Sequence, residues 1–479
     1  MAYSASLLHT HYITWFNDCQ RAVEHRSEED LVSDSSSGTM GTQDQRASVD
    51  SQLGSGAHSL MQQNFGNIGN AQFQHIAARE IAAPNPPQVV EVASRTFMIR
   101  PGMSNVALFE TDDGLLMVDS GCAGDGPALL RAVRQLSAQP LRTVVFTHGH
   151  VDHAFGLWAF LEAGEHPRVV AHENLPDHFA RYAKTAGLNA AINGQRPGAN
   201  GRSWPSAPED FVVPDITFRD TLELRVGGER FVVRHAKGET DDAAWVWAPQ
   251  RRVIASGDLV VGYLPNAGNP RKVQRYAEEW ADAAEQMAAL DARCVITGHG
   301  DHVHGAEAIR DELLTMAEYL RHVVRHTLDG LNSGMRPDEI VESLVIPPHL
   351  AEHPRLQPHY DRPEFICRNV IRRYGGWWDG YPANLLPAPE AVRAQEIVRL
   401  AGGTDALVTR AHELADSDLR LACHLAEWAF LADPRSSAAQ DCYVAVFDRR
   451  RDGEPSLMGK LAFSEPHQRV SAERTEEGR

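Results

Sequence analysis

The sequence predicts an α/β domain of about 240 residues followed by a helical domain of about 110 residues. From residue 89 onward, runs of β-branched and aromatic residues alternate with Pro-Gly and Asp-Asp-Gly turns, which is typical of strands. Residues 276–290 and 306–327 instead show the periodicity of amphipathic helices. Strand patterns end after residue 300, and residues 337–445 have a mainly helical pattern. Because several strands follow one another without helices between them, a doubly wound parallel sheet is not expected.

The chain divides into four predicted segments. Residues 1–85 form an N-terminal extension that we expect to be partly disordered, because the stretch 26–56 is rich in Ser, Asp and Gly and lacks apolar periodicity. The α/β domain spans residues 86–330, the helical domain spans 335–450, and residues 451–479 form a polar tail. The predicted strands, with one helix at residues 128–136 after the third of them, are VVEVASRTFMI, SNVALFET, LLMVDS, LRTVVFTH, RVVAH, TLELRV, RFVVRH, AAWVWA, RRVIAS and CVITGHG.

Composition and charge exclude several classes of function. The 479 residues carry a net charge of -18, which repels phosphate backbones and argues against a nucleic-acid partner. No stretch approaches the apolar length of a membrane span, and the first residues lack the pattern of a signal peptide. The six cysteines are scattered and form no CxxC motif, which favours a reducing compartment. We therefore expect a cytoplasmic protein.

A cluster of metal-ligand side chains follows the predicted strand LRTVVFTH. His148, His150, Asp152 and His153 lie in the string HGHVDH, and imidazole nitrogen and carboxylate oxygen are the usual ligands of Zn²⁺ and related ions. Alternation along the string turns the first two histidines toward one point and the Asp-His pair toward a neighbouring point. This arrangement suits two metal ions, and the alternative is a polar surface turn.

Further acidic and imidazole side chains stand at later strand ends. They are Glu239 in HAKGET, Asp258 in SGD and His299 in TGHG. In this order the motifs resemble those of the metallo-β-lactamase superfamily, whose fold is an αββα sandwich with the metal site at one edge. That family usually has histidine where this chain has Glu239, and a glutamate at this position is similar to the alkylsulfatase branch.

The second half of the chain supports the same branch. Its run YGGWWDGYPANL, residues 374–385, resembles the signature of the alkylsulfatase dimerisation domain, and Gly402-Gly403 and the following Ala-rich helices are similar to that domain. The resemblance implies an all-α dimerisation domain and a homodimer. Trp377 and Trp378 would then line the active-site mouth across the dimer, or else serve as anchors in the core or interface.

The resemblance implies a binuclear zinc site with two Zn²⁺ per chain. Our hypothesis is that one metal is held by His148, His150 and Glu239. The second is held by Asp152, His153 and His299, and Asp258 bridges the two metals. A metal-bridging hydroxide would be the nucleophile, because metal binding lowers the pKa of water toward about 7. We expect Asp258 and Asp152 to be the catalytic carboxylates.

The segment after Asp258 differs from the usual alkylsulfatase pattern but keeps polar and cationic groups. Candidate substrate-binding residues for an anionic ester are Asn266, Asn269, Arg271, Lys272 and Arg275, with an exposed helix start as the alternative. Asp241 and Asp242 either orient the ligands or cap a strand edge. We expect His302 and His304, which follow His299 closely, to lie in surface loops, and likewise His172 and His178.

These features predict a metal-dependent hydrolase that cleaves the sulfate ester of an organic alcohol, a small anionic substrate. Two alternatives remain open at this point. The same metals could hydrolyse a lactone, thioester or phosphoester, or the chain could be a metal-binding scaffold without turnover.

Overall fold

The computed structural model describes residues 87–192, 204–207 and 210–477. The predicted N-terminal extension, 1–85, lies outside the described residues. The chain separates into two compact units. The first contains the described residues up to Gly262 and Glu279–Ala317, and the second contains Tyr263–Glu278 and the described residues from Glu318 onward.

The first unit contains a seven-stranded sheet in which the strands lie in sequence order. Neighbouring strands pair antiparallel from the first strand to the fourth, and they pair parallel from the fourth strand to the seventh. Helices connect the parallel strands, as parallel pairing requires. The elements are β1 Gln88–Ala93, β2 Thr96–Arg100, β3 Val106–Thr111, β4 Gly114–Val118, α1 Gly126–Leu136, β5 Leu141–Val145, α2 Val151–Ala154, α3 Trp158–Glu162, β6 Arg168–His172, α4 Leu175–Lys184, α5 Ala186–Ile192 and β7 Ile216–Phe218.

The second sheet has six strands in the order β13-β12-β11-β10-β9-β8. Only the pair of β11 and β12 is parallel, and α6 lies in the connection between these two strands. The elements are β8 Thr221–Val226, β9 Glu229–His235, β10 Ala244–Ala248, β11 Val253–Ala255, α6 Ala277–Ala288, β12 Cys294–Ile296, β13 Val303–His304 and α7 Ala306–Asn332.

The two sheets pack face to face through an apolar core. Met98, Phe109 and Val118 of the first sheet meet Phe231 and Val246 of the second, and the rings of Phe109 and Phe231 are 5.2 Å apart. The other face of the first sheet packs against helices, with a core that includes Leu129, Val144, Phe160 and Phe179. Trp280 of α6 is fully buried and donates to the main-chain oxygen of Leu259, just beyond β11. The predicted αββα sandwich is confirmed.

The sandwich places every predicted metal ligand after the carboxyl end of a strand. The HGHVDH string follows β5, Glu239 follows β9, Asp258 follows β11 and His299 follows β12. Strand ends are rigid, so loops that leave them can hold side chains in fixed positions.

The second unit is helical, as predicted. Its helices pack through small residues, with Ala411, Ala422, Ala426 and Cys442 buried in one cluster. Small side chains let helix backbones approach closely, and this explains the Ala-rich sequence. The helices after α7 are α8 Pro337–Glu342, α9 Pro348–Ala351, α10 Pro363–Gly375, α11 Glu390–Ala401, α12 Thr404–Leu414, α13 Leu419–Ala432, α14 Ser437–Asp452, α15 Leu457–Phe463 and α16 Glu465–Glu477.

The segment predicted as a polar tail contains the helices α15 and α16. Ser456 caps α15 by accepting a hydrogen bond from the main-chain nitrogen of Gly459, at 3.1 Å. Leu457 and Val470 are buried, the latter against Phe430 and Tyr443. A few apolar anchors thus order a segment whose overall composition is polar.

Two observations bear on the expected compartment. The cysteines in the described residues are all free and form no disulfide with one another, and Cys19 lies outside this range. Among the helices that the structure describes, none combines the length and apolar character needed to cross a membrane.

Candidate metal centre

The seven predicted ligands converge at one edge of the first unit. Three groups of residues can be distinguished, and within each group the ligand atoms lie within 4.8 Å of one another. They are His148 with His153 and Asp258, Asp152 with His153 and His299, and His150 with Glu239 and Asp258. The set expected for the second metal therefore comes together as one group. His148 belongs to the group of His153 and Asp258, although its Nε2 also lies 2.8 Å from Nδ1 of His150.

Asp258 lies at the middle of the site. Its Oδ1 is 3.1 Å from His153 Nε2 and 3.3 Å from His299 Nε2, and its Oδ2 is 3.7 Å from His148 Nε2. The two oxygens of one carboxylate thus face different histidines. This is the geometry that a bridging carboxylate requires.

The remaining distances match those around small metal ions. Asp152 Oδ2 is 3.5 Å from His153 Nε2 and 3.4 Å from His299 Nε2, and His150 Nδ1 is 3.7 Å from Glu239 Oε1. Ligand atoms at about 2.1 Å from a tetrahedral Zn²⁺ are about 3.4 Å apart. The spacing of the donors therefore fits a metal ion between them.

Two buried atoms provide an independent test of this fit. Within the described part of the chain, His153 Nε2 and Asp258 Oδ1 make no hydrogen bond of good geometry, although both are inaccessible to solvent. A buried polar atom without such a partner is costly. A cation between the two atoms would satisfy both of them.

Three of the histidines are oriented through their second ring nitrogen. Thr147 Oγ1 donates to Asp119 Oδ2 at 2.8 Å, and because a hydroxyl has one proton it accepts from His148 Nδ1 at 3.0 Å. Asp119 also accepts from His153 Nδ1 at 2.8 Å, and the main-chain oxygen of Met103 accepts from His299 Nδ1 at 2.9 Å. In each of these rings the other nitrogen, Nε2, faces the carboxylates of the site.

Asp119 orients two groups of the site, although it is not part of any sequence motif named above. It follows β4, and its φ of 65° is in the left-handed region, which is uncommon for a residue other than glycine. Its carboxylate holds both Thr147 and His153, and strained backbone of this kind clusters at functional sites. In the sequence, the feature that could have indicated a role for this aspartate is its position at the end of the strand LLMVDS.

The ionisable groups of the site shift one another's pKa values. Burial lowers the pKa of His148 to about 4, and the charge on His153 acts in the same direction. Burial would also lower the pKa of His153, but the surrounding carboxylates, Asp258 first, hold it well above its ordinary value. Although burial raises a carboxyl pKa, His153 and His299 hold that of Asp152 at about 2. The same two histidines hold the pKa of Asp258 well below its ordinary value, so Asp152 and Asp258 are both ionised, which suits cation binding.

Asp242 and His178 support the loop between His148 and His150. Asp242 Oδ2 accepts from the main-chain nitrogen of Gly149 at 2.9 Å, and Oδ1 lies 3.1 Å from His178 Nδ1. A side chain at Gly149 would meet His178 Nδ1 at 2.8 Å, and the His178 ring makes an edge contact with His150. Of the two roles left open for Asp242, these contacts correspond to orienting the ligands.

The expectation that His172 and His178 lie in surface loops was wrong. Both are buried, His178 against Asp242. His172 stacks on His235 with ring centres 3.7 Å apart, and its Nε2 donates to the main-chain oxygen of Arg219 at 2.9 Å. Sequence position alone could not indicate these partners, because they come from distant segments. Asp241 contributes its main-chain oxygen, which accepts from His235 Nε2 at 2.9 Å.

Asp242→Ala should weaken zinc binding by about 10- to 100-fold, because it removes the acceptor that holds Gly149 between two ligands. Competition with a chromophoric chelator measures the affinity directly. Asp241→Asn is the matched control and should bind zinc like the wild type. Equal affinity in Asp242→Ala and the control would show that the contact is not needed to position the ligands.

The candidate substrate-binding residues lie in the second unit, in the segment Tyr263–Glu278. Asn266, Asn269 and Arg275 are buried, and Arg271 and Lys272 are half-buried, so the segment is not an exposed helix start. Asp361 Oδ2 accepts from the main-chain nitrogen of Gly268, and Asn369 Nδ2 donates to the main-chain oxygens of Ala267 and Arg275 at 2.8 and 2.9 Å. Arg271 Nη2 is 3.3 Å from Glu465 Oε2. Their binding of substrate stays a prediction.

Comparison with protein families matches both parts of the chain. Residues 99–299 match the metallo-beta-lactamase superfamily, and residues 336–471 match the alkyl sulfatase dimerisation family. The first match contains all seven predicted ligands, and the second covers the helices α8 to α15 and most of α16.

Curated relatives match over most of the chain. A linear primary-alkylsulfatase of Pseudomonas sp. (strain ATCC 19151) is 28% identical over 366 residues, which cover 71% of this chain and 69% of the relative. An alkyl/aryl-sulfatase of Saccharomyces cerevisiae is 25% identical and covers 71% of this chain. An (R)-specific secondary-alkylsulfatase of Pseudomonas sp. is also 25% identical and covers 73%. The aligned region spans only 57% of the length of the latter two relatives.

A solved structure has the same fold. The stereoselective inverting sec-alkylsulfatase Pisa1 from Pseudomonas sp. superposes with a TM-score of 0.70 at 22% sequence identity, covering 83% of this chain and 67% of the other. The sandwich and the helical domain thus occur together in a known protein. The chain thus joins a region similar to the metallo-beta-lactamase superfamily, residues 99–299, to a region similar to the alkyl sulfatase dimerisation family, residues 336–471.

Proposed function

We propose that the protein is a binuclear metal-dependent hydrolase that cleaves the sulfate ester of an organic alcohol. The observation that carries the proposal is the pairing of Glu239 with His150 beside Asp258, within ligand distance. A glutamate at this position is the feature that separates the alkylsulfatase-like pattern from the superfamily's usual histidine. The relatives with similarity over most of the chain are named as alkylsulfatases.

The charge of the site supports an anionic substrate. Asp152, Glu239 and Asp258 would bring three negative charges to two divalent metals, which leaves a net charge near +1. Such a site attracts a sulfate monoester. Because Glu239 is charged where the superfamily usually has neutral imidazole, the first metal would be a weaker Lewis acid, and this suits an anionic ester better than an amide.

The side chains divide into ligands and groups that fix their orientation. Asp258 would bridge the metals, and Asp152 would complete the second set, with Asp119 and Thr147 holding the imidazoles through their Nδ1 atoms. When bound, the metals supply an acidic water as nucleophile and polarise the ester oxygens. The protein groups hold this geometry before substrate arrives, so little reorganisation is needed during the reaction.

We propose two Zn²⁺ ions per chain, because imidazole and carboxylate ligands at this spacing suit zinc. We also propose a homodimer, on the basis of the alkyl sulfatase dimerisation match over residues 336–471. The free cysteines suit a reducing compartment, which favours a cytoplasmic location. Asn266, Asn269, Arg271, Lys272 and Arg275 remain our candidates for binding the sulfate group.

Sulfate release from zinc-loaded protein tests the proposal. A panel of primary and secondary alkyl sulfates should yield inorganic sulfate with the wild type. Glu239→Ala and His148→Ala should each reduce release by at least about 100-fold, since each removes a metal ligand. Ion chromatography measures sulfate, and mass spectrometry of bound metal measures zinc in the same samples.

The control is Asp301→Asn, close to His299 in the chain but with a side chain that is largely exposed and pairs with Arg100. It should retain zinc and activity. No sulfate release from a protein that contains two zinc ions would refute the sulfatase proposal. Lactones, thioesters and phosphoesters would then be the substrates to test.

A further inference from the structure

The loop that carries Glu239 joins β9 to β10 and spans residues 236–243. We call it the Glu239 loop. At its base, the main-chain nitrogen of Ala236 donates to the main-chain oxygen of Ala243 at 2.9 Å. Glu239 lies near the middle of the loop, where the strands no longer pair. Its carboxylate groups with two other metal ligands, so its position has to be fixed by contacts beyond the base of the loop.

Two side chains hold the loop at a single atom, the main-chain oxygen of Asp241. His235 Nε2 donates to this oxygen at 2.9 Å, and Asn174 Nδ2, just before α4, donates to it at 3.2 Å. A carbonyl oxygen has two lone pairs, so these two donors use both of them. Because a carbonyl oxygen only accepts, His235 Nε2 carries the proton of this bond. The main chain is therefore fixed two residues after Glu239.

The ring of His235 is itself held by His172. The two imidazoles are stacked, with ring centres 3.7 Å apart and an angle of 14° between their planes. His172 Nε2 donates to the main-chain oxygen of Arg219 at 2.9 Å, and its Nδ1 accepts from the main-chain nitrogen of Asn174 at 3.1 Å. Since one nitrogen donates and the other accepts, the His172 ring is neutral. Burial lowers the pKa of His172, and the neighbouring His235 acts in the same direction, which favours this form.

The Glu239 loop also packs against the segment that carries Asp258. A Cβ at Gly238 would lie 2.6 Å from Cδ2 of Leu259, the residue that follows Asp258, and 3.3 Å from the ring of Trp280. Because the packing is this close, a shift of the loop changes the spacing between Glu239 and Asp258. A carboxylate oxygen binds Zn²⁺ at about 2.1 Å, so such a shift disturbs metal binding.

We propose that His235 is a positioning residue of the metal centre, whose hydrogen bond to Asp241 fixes Glu239 for the metal that this carboxylate binds with His150. His172 supports this bond, since it holds the ring of His235 in the plane from which Nε2 reaches the oxygen. Neither imidazole belongs to the three groups of ligands. The proposal rests on the proposed function, and it predicts weaker binding of one metal only.

Zinc binding to the full chain tests the proposal, by competition with a chromophoric chelator that gives the affinity of each of the two sites. His235→Phe keeps a ring to stack on His172 but removes the donor, and it should weaken one site by about 10- to 100-fold and leave the other unchanged. His235→Gln removes the ring but keeps an amide nitrogen near the position of Nε2, and it should restore most of the wild-type affinity. His166→Phe, the same change at an exposed histidine of the first unit, is the matched control and should bind zinc like the wild type.

Asn174→Ala gives a second variant, which leaves His235 in place. The side chain of Asn174 makes no capping hydrogen bond to α4, so alanine removes the second donor to Asp241 without uncapping the helix. This variant should weaken the same site by about 10-fold. Thermal unfolding of the zinc-free proteins verifies the fold of each variant. If His235→Phe does not fold, unchanged zinc affinity in Asn174→Ala would overturn the proposal.

The other outcomes are equally distinct. Wild-type affinity at both sites in a folded His235→Phe protein would overturn the proposal, and so would equal weakening of both sites. A His235→Gln protein as weak as His235→Phe would also overturn it, because the ring and not the hydrogen bond would then matter. A wild type that binds no zinc would overturn the metal centre itself. Sulfate release is measured separately, so failure of the sulfatase proposal leaves these affinities interpretable.

Discussion

Asp258→Asn should lower kcat/KM for sulfate-ester hydrolysis by about 1,000-fold. The substitution preserves the size of the side chain but removes the charge that faces His153, His299 and His148 at 3.1 to 3.7 Å. If bridging both metals contributes several kcal/mol to transition-state stabilisation, about 4 kcal/mol corresponds to this factor. Steady-state kinetics and metal content, measured on the same preparation, check the result.

The metal content should fall together with the rate. Two zinc ions per chain are expected in the wild type, and fewer than two in Asp258→Asn, because both sets share this carboxylate. The exposed Asp301→Asn separates the loss of this particular carboxylate from a general loss of negative charge near His299. An Asp258→Asn protein with two tightly bound zinc ions and near wild-type turnover would contradict a bridging role.

The αββα fold could be predicted because its strands are strongly patterned. The runs VALFET and LLMV became β3 and β4 almost residue for residue. The first run, VVEVASRTFMI, is instead a hairpin of β1 and β2, with Arg95 in the left-handed region at the turn. That run contains neither the glycine nor the asparagine that is typical of such turns. The three-residue strand β7 is too short to leave a pattern.

The metal ligands could be proposed because each stands close to a strand end in a short motif. The groups that orient them could not, since they are defined by contacts between distant segments. His178 of α4 meets Asp242 after β9, and Asp119 after β4 meets His153 after β5. A single sequence does not reveal such pairs.

The boundary between the two units could not be predicted from chain order either. Residues Tyr263–Glu278 lie in the sequence between ligands of the first unit, yet their contacts are with the second. Asp361 and Asn369, about a hundred residues later, hold the main chain of this segment. Such long-range hydrogen bonds leave no local pattern in composition or periodicity.

Gly298→Ala should disrupt the metal centre although it adds only a methyl group. The φ of Gly298 is outside the left-handed region that favours glycine, so the contacts of the added methyl group decide the effect. A Cβ at this position would lie 2.1 Å from Asp258 Oδ1 and 2.7 Å from the main-chain carbon and oxygen of Gly257. Either the carboxylate of Asp258 or the strand end must move.

Hydrogen bonds on both sides hold the main chain of Gly298 in place. Its nitrogen donates to the main-chain oxygen of Val260 at 3.0 Å, and its oxygen accepts from the nitrogen of Asn105 at 2.8 Å. With the backbone held on both sides, the carboxylate of Asp258 is the group with most freedom to shift. We therefore expect a loss of bound zinc and at least about a 100-fold loss of kcat/KM, with a loss of stability of about 1 to 3 kcal/mol.

Gly187→Ala provides the matched control. Gly187 lies in α5, and a Cβ there meets nothing within 4 Å. This variant should keep its zinc and activity and should be as stable as the wild type or more stable by up to about 1 kcal/mol, because alanine favours a helix over glycine. Zinc content, kcat/KM and thermal unfolding of the two variants give the comparison. If Gly298→Ala behaves like Gly187→Ala in all three, the tight packing against residue 298 does not position the carboxylate of Asp258.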